Sequence, residues 1–265
     1  MSRRIHPSLA CWPGLTHWEA AERAIAGAHE PLWGELDASR VQIVPQGRDV
    51  FDVAMAWAFR ARWPEVRFRL HANVRVLQPR RLVDLVDFNA NADWFNRAAQ
   101  VHRALGADVY SAHAGRRSHG SLADVLDAAR RCADLFGSPV AVEGHYPVSD
   151  AAGFSPHAGP SSDVYLLSTW SEHAELLASG LPFVVDLSHL NIIATQSRCR
   201  ENGLVRELLA SEACLEVHLS DNDGRRDSHG ICSSAPWWHG LLPHINPCAA
   251  VFTEGNHLKS QRSLS

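Results

Sequence analysis

Histidine and carboxylate side chains recur at the ends of short apolar segments over much of the chain. The sequence contains 16 histidines, and histidine is the commonest metal ligand and a proton shuttle near neutral pH. Charged groups at the ends of inward-facing strands are costly to desolvate unless they are paired or bind a metal. Nine residues share this position: His71, His113, Glu143, Asp186, His189, His218, Asp227, His229 and Glu254.

The types of these nine side chains predict a metal centre. Imidazole and carboxylate ligands without thiolate suit zinc, manganese or iron. Nine ligands are too many for one ion, so we expect two or three divalent ions (Fe, Mn or Zn) bridged by carboxylates. A lone histidine is more often a core residue than a ligand, and only the joint placement indicates a site. His145, two residues after Glu143, is a further candidate. We predict no organic cofactor.

The elements that would position these residues are eight short β-rich segments, which recur at intervals of roughly 35 residues, the length of a βαβ unit. This count and spacing predict an α/β fold, a (β/α)8 TIM barrel formed by residues 1–265 as a single domain. The predicted strands are Ile5–Ala10, Val41–Val44, Phe68–His71, Val109–His113, Val140–Glu143, Phe183–Leu187, Leu215–Leu219 and Ala250–Thr253.

Apolar residues at three- and four-residue spacing predict helices between several of these strands. The predicted helices are Trp18–Ala28, Asn91–Leu105, Ser121–Phe136 and Val205–Leu209. Val148–Asp163 is rich in Gly, Pro, Ser and Ala and is predicted to be a long loop. Only Gly255–Ser265 follows the eighth strand, so we expect an incomplete C-terminal closing helix. A partner protein or a second copy could cover that side of the barrel.

Composition excludes several classes of function. The chain has 25 basic and 29 acidic residues, a net charge of -4, so nucleic acid is an unlikely partner. Lys259 is the only lysine, which leaves no plausible lysine for a Schiff base or a phosphate-binding loop. The six cysteines form no CxxC pair, as is typical of reduced thiols. No segment resembles a membrane span or a signal peptide, so we expect a cytoplasmic protein.

At these motifs the sequence resembles the xylose-isomerase-like TIM barrels, the superfamily that includes endonuclease IV and many sugar-phosphate isomerases and epimerases. The resemblance spans roughly Phe68 to Asn256, and its most specific segments are Val217–His229 (VHLSDNDGRRDSH) and Val185–His189 (VDLSH). It implies a barrel with a three-metal site held by all nine residues. The sequence departs from the family at Gly230–Trp238, where a Gly-x-Gly is usual, and at Ala72–Val74, where endonuclease-IV-like proteins carry DNA-inserting residues.

The leading functional hypothesis is a metal-dependent isomerase or epimerase of a sugar or sugar-phosphate-like compound. In this hypothesis Glu143 and Glu254 move a proton and His189 orients the substrate. Four arginines near the predicted mouth could clamp an anion: Arg75, Arg116, Arg225 and Arg226.

Three other hypotheses remain open. The ligand order and the Trp237-Trp238 pair resemble multinuclear non-haem iron enzymes that oxidise a peptide or small molecule in natural-product pathways, although those proteins usually have Asn where this chain has His189. The full ligand set also resembles that of endonuclease-IV-like phosphodiesterases, in which three metals generate hydroxide. The last hypothesis is a catalytically inactive scaffold.

Overall fold

Eight parallel strands form the barrel in the computed structural model, which describes residues 3–46, 48–147 and 164–258. The barrel strands are β1 (His6–Pro7), β4 (Arg40–Ile43), β5 (Arg67–His71), β6 (Tyr110–His113), β7 (Val140–Glu143), β8 (Phe183–Asp186), β9 (Cys214–Leu219) and β10 (Ala250–Thr253). Their order in the sheet is β1, β10, β9, β8, β7, β6, β5, β4, and a parallel bridge between Ser8 and Gln42 joins the two edges. The predicted (β/α)8 architecture is confirmed.

Helices follow most strands, and five of the seven described α-helices begin at a capping side chain. The Ser121 hydroxyl accepts a hydrogen bond from the Asp124 amide, and the Asp124 carboxylate accepts one from the Ser121 amide. This capping box stabilises the helix start. The helices are α1 (His17–Ile25), α2 (Val53–Arg62), α3 (Ala92–Leu105), α4 (Leu122–Phe136), α5 (Trp170–Ser179), α6 (Leu187–Ser197) and α7 (Asn202–Ala210), with 3-10 helices at Leu9–Cys11, Leu85–Asp87 and Trp237–His244.

The first strand is shorter than the predicted Ile5–Ala10 segment. It ends at Pro7, which has no N–H to donate to a sheet, and the Ser8 side chain then caps the Leu9–Cys11 3-10 helix by accepting from the Ala10 amide at 3.2 Å. A small antiparallel hairpin, β2 (His29–Glu30) with β3 (Gly34–Glu35), follows α1 and was not predicted. The 3-10 helix and the hairpin both contact the end of β10.

Strand residues alternate between the inside of the barrel and the helix layer. Val109, Ala141 and Val184 form a small apolar cluster inside. Above it, the Glu216 carboxylate accepts hydrogen bonds from Arg69 and from Ser111, each at 2.8 Å. Because Arg69 and Glu216 precede His71 and His218 by two residues, this buried polar layer lies directly beneath the strand ends that carry the predicted metal ligands.

Two sequence predictions fall outside the described residues. The predicted loop Val148–Asp163 lies wholly outside the described residues, as does the end of the predicted closing helix, residues 259–265. Within the described part of the chain, no helix combines the length and the apolar character needed to cross a membrane.

Candidate metal centre

A cavity of about 410 Å³ opens at the carboxyl ends of the strands, the face that carries the active sites of TIM barrels. Neighbouring strands present their ligands as register partners, His113 beside Glu143 and Asp186 beside His218. His218 is 1% exposed and lies next to the lining. The other eight predicted residues line the cavity: His71, His113, Glu143, Asp186, His189, Asp227, His229 and Glu254.

Glu143 is the centre of the contacts in this cavity. Its Oε2 lies 2.7 Å from His71 Nε2 and 3.8 Å from His113 Nε2, while its Oε1 lies 3.3 Å from His218 Nδ1. Glu254 approaches the same His218 Nδ1 with its Oε1 at 3.8 Å. The two glutamates therefore contact one imidazole edge from strands β7 and β10.

Asp186 is the last residue of β8 and also the N-cap of α6. Its Oδ1 accepts hydrogen bonds from the Ser188 amide at 2.7 Å and the His189 amide at 3.1 Å. Its Oδ2 remains directed at His189 Nε2, 3.4 Å away. The cap thus holds the carboxylate in one orientation and brings His189, three residues later, to the same cavity.

Asp227 and His229 reach the cavity from the loop after β9. A bridge between Asp221 and Gly230 closes this loop, and His229 adopts a left-handed φ of 46°, a conformation that costs energy for a residue with a side chain. Asp227 Oδ2 lies 3.0 Å from His229 Nε2 and 3.4 Å from His189 Nε2. The three residues form a compact group beside Asp186.

Polar residues outside the cavity orient the imidazoles, and sequence reasoning missed them. His218 Nε2 donates to Glu216 Oε1 at 2.7 Å, Asn73 Nδ2 donates to His113 Nδ1 at 3.2 Å, and His189 Nδ1 donates to the Gly144 carbonyl at 2.9 Å. In the neutral rings, the acceptors at Glu216 and Gly144 leave His218 Nδ1 and His189 Nε2 without hydrogen, as partners of metal-binding histidines do. The Asn73 amide instead fixes the His113 ring with its hydrogen on Nε2. The period-two spacing of Glu216 and His218 is the sequence signal that could have identified this glutamate.

Several buried atoms in the cavity suit a bound cation. His218 Nδ1, Asp186 Oδ2, Asp227 Oδ1 and His229 Nδ1 make no hydrogen bond to a described residue, and orphaned buried polar atoms are costly. Three groups have ligand atoms within 4.8 Å of one another: His71, His113 and Glu143; His71, His218 and Glu254; and Glu143, Asp186 and His218. The residues present therefore fit metal ions, with His71, Glu143 and His218 each shared between two groups.

The electrostatics of the metal-free cavity are those of paired charges. Burial disfavours the charged imidazole of His189, but the carboxylates of Asp186 and Asp227 outweigh it and raise its pKa to about 10. His229 behaves alike, with a pKa raised to about 9 because Asp227 and Glu254 offset its burial. Without metal, both imidazoles are therefore in the protonated, positively charged form at neutral pH. Metal binding to them would release a proton from each.

The cavity wall carries aromatic rings, and no lysine or arginine is among the described residues that line it. His145 stacks on Tyr165 with ring centroids 4.1 Å apart, and Tyr146 lies alongside. None of the four candidate arginines lines the cavity, and Arg116 instead covers the Tyr165 ring at 4.8 Å. Trp237 and Trp238 also lie outside the lining, in the 3-10 helix that precedes β10.

Asn73 and Val74 are buried beside the cavity. The side-chain Oδ1 of Asn73 accepts a hydrogen bond from the Val83 amide. These residues serve as an internal loop anchor, so they do not form a wedge that could enter DNA.

No protein-family model matches this sequence, and no curated protein matches it significantly. Solved structures match its fold along nearly the whole chain. A D-tagatose 3-epimerase-like protein is 15% identical, with 99% of this chain and 96% of that one covered and a TM-score of 0.60. D-allulose 3-epimerase from Methylomonas sp. is 18% identical, with 99% and 89% covered and a TM-score of 0.59.

A third similar structure is an AP endonuclease of family 2 from Brucella melitensis, which is 14% identical, with 96% and 93% of the two chains covered and a TM-score of 0.60. A 3-epimerase, a 3-epimerase-like protein and an AP endonuclease therefore resemble this chain about equally in structure. At these identities the likeness concerns the fold, and it confirms the expectation drawn from the sequence motifs at that level: the chain has the TIM-barrel fold of these structures.

Proposed function

We propose that this protein is a metal-dependent isomerase or epimerase acting on a sugar or sugar-phosphate-like substrate. The observation that carries the proposal is the placement of Glu143 and Glu254, whose Oε1 atoms lie 3.3 and 3.8 Å from the same His218 nitrogen. Two carboxylates on different strands, meeting at one possible metal ligand, suit proton removal and return at a carbon next to a carbonyl. The likeness to two sugar 3-epimerase structures supports the same reaction class.

The charge of the cavity supports a neutral polyhydroxylated substrate. Four carboxylates meet there, those of Glu143, Asp186, Asp227 and Glu254. With neutral imidazoles, one dication leaves two negative charges and two dications leave none. No lysine or arginine lines the described cavity to bind an anion. Its volume of about 410 Å³ lies in the usual range for small-molecule sites.

The side chains would divide the reaction between them. Glu143 would take the proton from the substrate carbon on one face, and Glu254 would deliver a proton on the other. His189, whose ring is fixed by the Gly144 carbonyl, would donate to a substrate hydroxyl. A dication held by Glu143, Asp186, His218 and Glu254 would polarise the substrate carbonyl and lower the cost of the negative charge that develops there.

Metal content and hydrogen exchange test this proposal together. We would purify the protein without added metal under low oxygen, count metals per chain by mass spectrometry, and incubate it with a panel of ketoses and ketose phosphates in D2O. We expect one or two divalent ions and deuterium incorporation beside the carbonyl, with epimer or isomer formation, and loss of both after chelation. A metal-loaded chain that exchanges no carbon-bound hydrogen in this panel would contradict the proposal.

Phosphoester hydrolysis is the second candidate, and one observation favours it. His189, Asp227 and His229 are further possible ligands beside the three groups above, and a one-ion proton transfer does not need them. Three dications would give the cavity a net charge of +2, which suits a phosphate. Under the isomerase proposal, Asp227→Asn lowers metal content by one ion or less and changes ketose turnover less than about threefold. Loss of a phosphodiesterase activity in that variant would support hydrolysis instead.

Iron-dependent oxidation remains a prediction from the sequence resemblance. The same metal measurement tests it, since two or more irons per chain and an air-sensitive visible spectrum would support oxidative chemistry over either candidate.

A further inference from the structure

A second group of possible metal ligands lies near the pairing of the first barrel strand, β1, with the last, β10. It contains none of the nine residues described above. Cys11 ends the 3-10 helix after β1, Glu30 ends β2, and His257 follows β10 by four residues. Each offers one ligand atom, and these three atoms lie within 4.8 Å of one another. Three segments that are distant in sequence thus bring a thiol, a carboxylate and an imidazole together.

The contacts within this group are close and buried. Cys11 and Glu30 are both 0% exposed. Glu30 Oε1 lies 3.1 Å from His257 Nε2 and accepts a hydrogen bond from Thr253 Oγ1 at 2.7 Å. The Cys11 thiol donates to the Thr253 carbonyl at 3.3 Å. The ring of Trp12 stacks on His257, with centroids 5.1 Å apart, so both the carboxylate and the imidazole are held in place.

One atom of the group lacks a partner. Glu30 Oε2 is buried and makes no hydrogen bond to any residue that the structure describes. A buried carboxylate oxygen left in this state is costly, because its hydration is lost and nothing replaces it. A cation bound by this oxygen would remove that cost.

We propose that Cys11, Glu30 and His257 form a zinc site separate from the cavity. Thiolate, imidazole and carboxylate are all ordinary zinc ligands, and a thiolate favours zinc over manganese or magnesium. On binding, the Cys11 thiol releases its proton to solvent and its hydrogen bond to Thr253 breaks as a zinc–sulfur bond forms. The hydrogen bond between His257 Nε2 and Glu30 Oε1 gives way to zinc–nitrogen and zinc–oxygen bonds, with the imidazole bound in its neutral form through the nitrogen that carries no hydrogen. No atom changes its oxidation state. Thiolate, carboxylate and Zn²⁺ then sum to zero charge, which suits a buried position.

The position indicates a structural role. The ion would link the segment after β1, the β2 hairpin and the segment after β10, close to the place where β1 pairs with β10. A cross-link of three protein ligands, with a water completing the tetrahedron, would hold these segments together.

Cobalt substitution tests the site directly. A cobalt–thiolate bond gives a charge-transfer absorption band in the near ultraviolet, and none of the nine residues of the cavity is a cysteine. We expect the cobalt-loaded protein to show this band. We expect Cys11→Ser to lose the band and to bind one equivalent of cobalt less. Cys132→Ser, which removes another fully buried thiol, is the matched control and keeps both the band and that equivalent of cobalt. Absence of the band in the native chain would overturn the proposal.

Two further variants keep the test decisive. Cys248 is exposed and could bind cobalt adventitiously, so loss of the band in Cys248→Ser with retention in Cys11→Ser would also overturn the proposal. If Cys11→Ser does not fold, His257→Ala provides the test. We expect this variant to bind zinc at least about tenfold more weakly, measured by competition with a chelator. An unchanged zinc affinity would refute the site. Glu143→Gln should keep the band, so failure of the proposed isomerase function is distinguishable from failure of this one.

Discussion

Replacing Glu143 by glutamine is expected to abolish metal binding in the cavity and to lower turnover by at least about 10³-fold. Glu143 contacts His71 and His218 at 2.7 and 3.3 Å and belongs to two of the three ligand groups in the cavity. Glutamine has nearly the same shape, but it carries no charge and offers one oxygen instead of two. Bridged ligation is therefore lost, together with the base of the proposed reaction.

Metals per chain and ketose turnover measure this effect, with circular dichroism to establish that the variant folds. Glu175→Gln is the control, because it makes the same chemical change at an exposed position of α5. A Glu143→Gln protein with full metal content and full activity would refute the metal centre as well as the proposed function.

Replacing Glu254 by glutamine is expected to stop epimerisation, with turnover lower by about 10²-fold or more, while exchange of one epimer with solvent continues. If Glu143 and Glu254 serve opposite faces of the substrate, Glu143 can still remove the proton from its own face and return deuterium there. No proton reaches the other face, since amide groups do not donate as carboxylic acids do.

The measurement is nuclear magnetic resonance of each epimer separately in D2O. Deuterium should enter one epimer without inversion and should not enter the other. Equal loss of exchange in both epimers would indicate that Glu254 serves only to bind metal. Unchanged epimerisation would remove this residue from the reaction.

Much of the fold follows from local patterns. Short β-rich segments spaced by the length of a βαβ unit predict the barrel, and each predicted strand from Val41–Val44 onward is present within about two residues of its expected bounds. The first strand is an exception, because Pro7 and the cap at Ser8 end it early. The small hairpin at His29–Glu35 has no alternating apolar pattern to reveal it.

The candidate site could be anticipated because a parallel barrel brings every strand's carboxyl end to one face. An inward-facing residue at the end of a strand therefore lies near the same cavity, whatever its distance along the chain. Glu216 and Asn73 escaped prediction because their roles depend on what their side chains contact. The same holds for Tyr146 and Tyr165, which reach the cavity from outside the strands.

The amino-acid sequence by itself determined the types and order of the nine side chains and the strands that carry them, because strand spacing and residue chemistry are local properties. Only the tertiary structure decided which atoms meet. Glu143 lies within 4 Å of four imidazoles, no arginine is among the described residues that line the cavity, and Cys11, Glu30 and His257 share a cluster. These facts depend on register, loop paths and side-chain packing between distant segments. A linear pattern does not contain them, since contact energies are realised only after the segments pack.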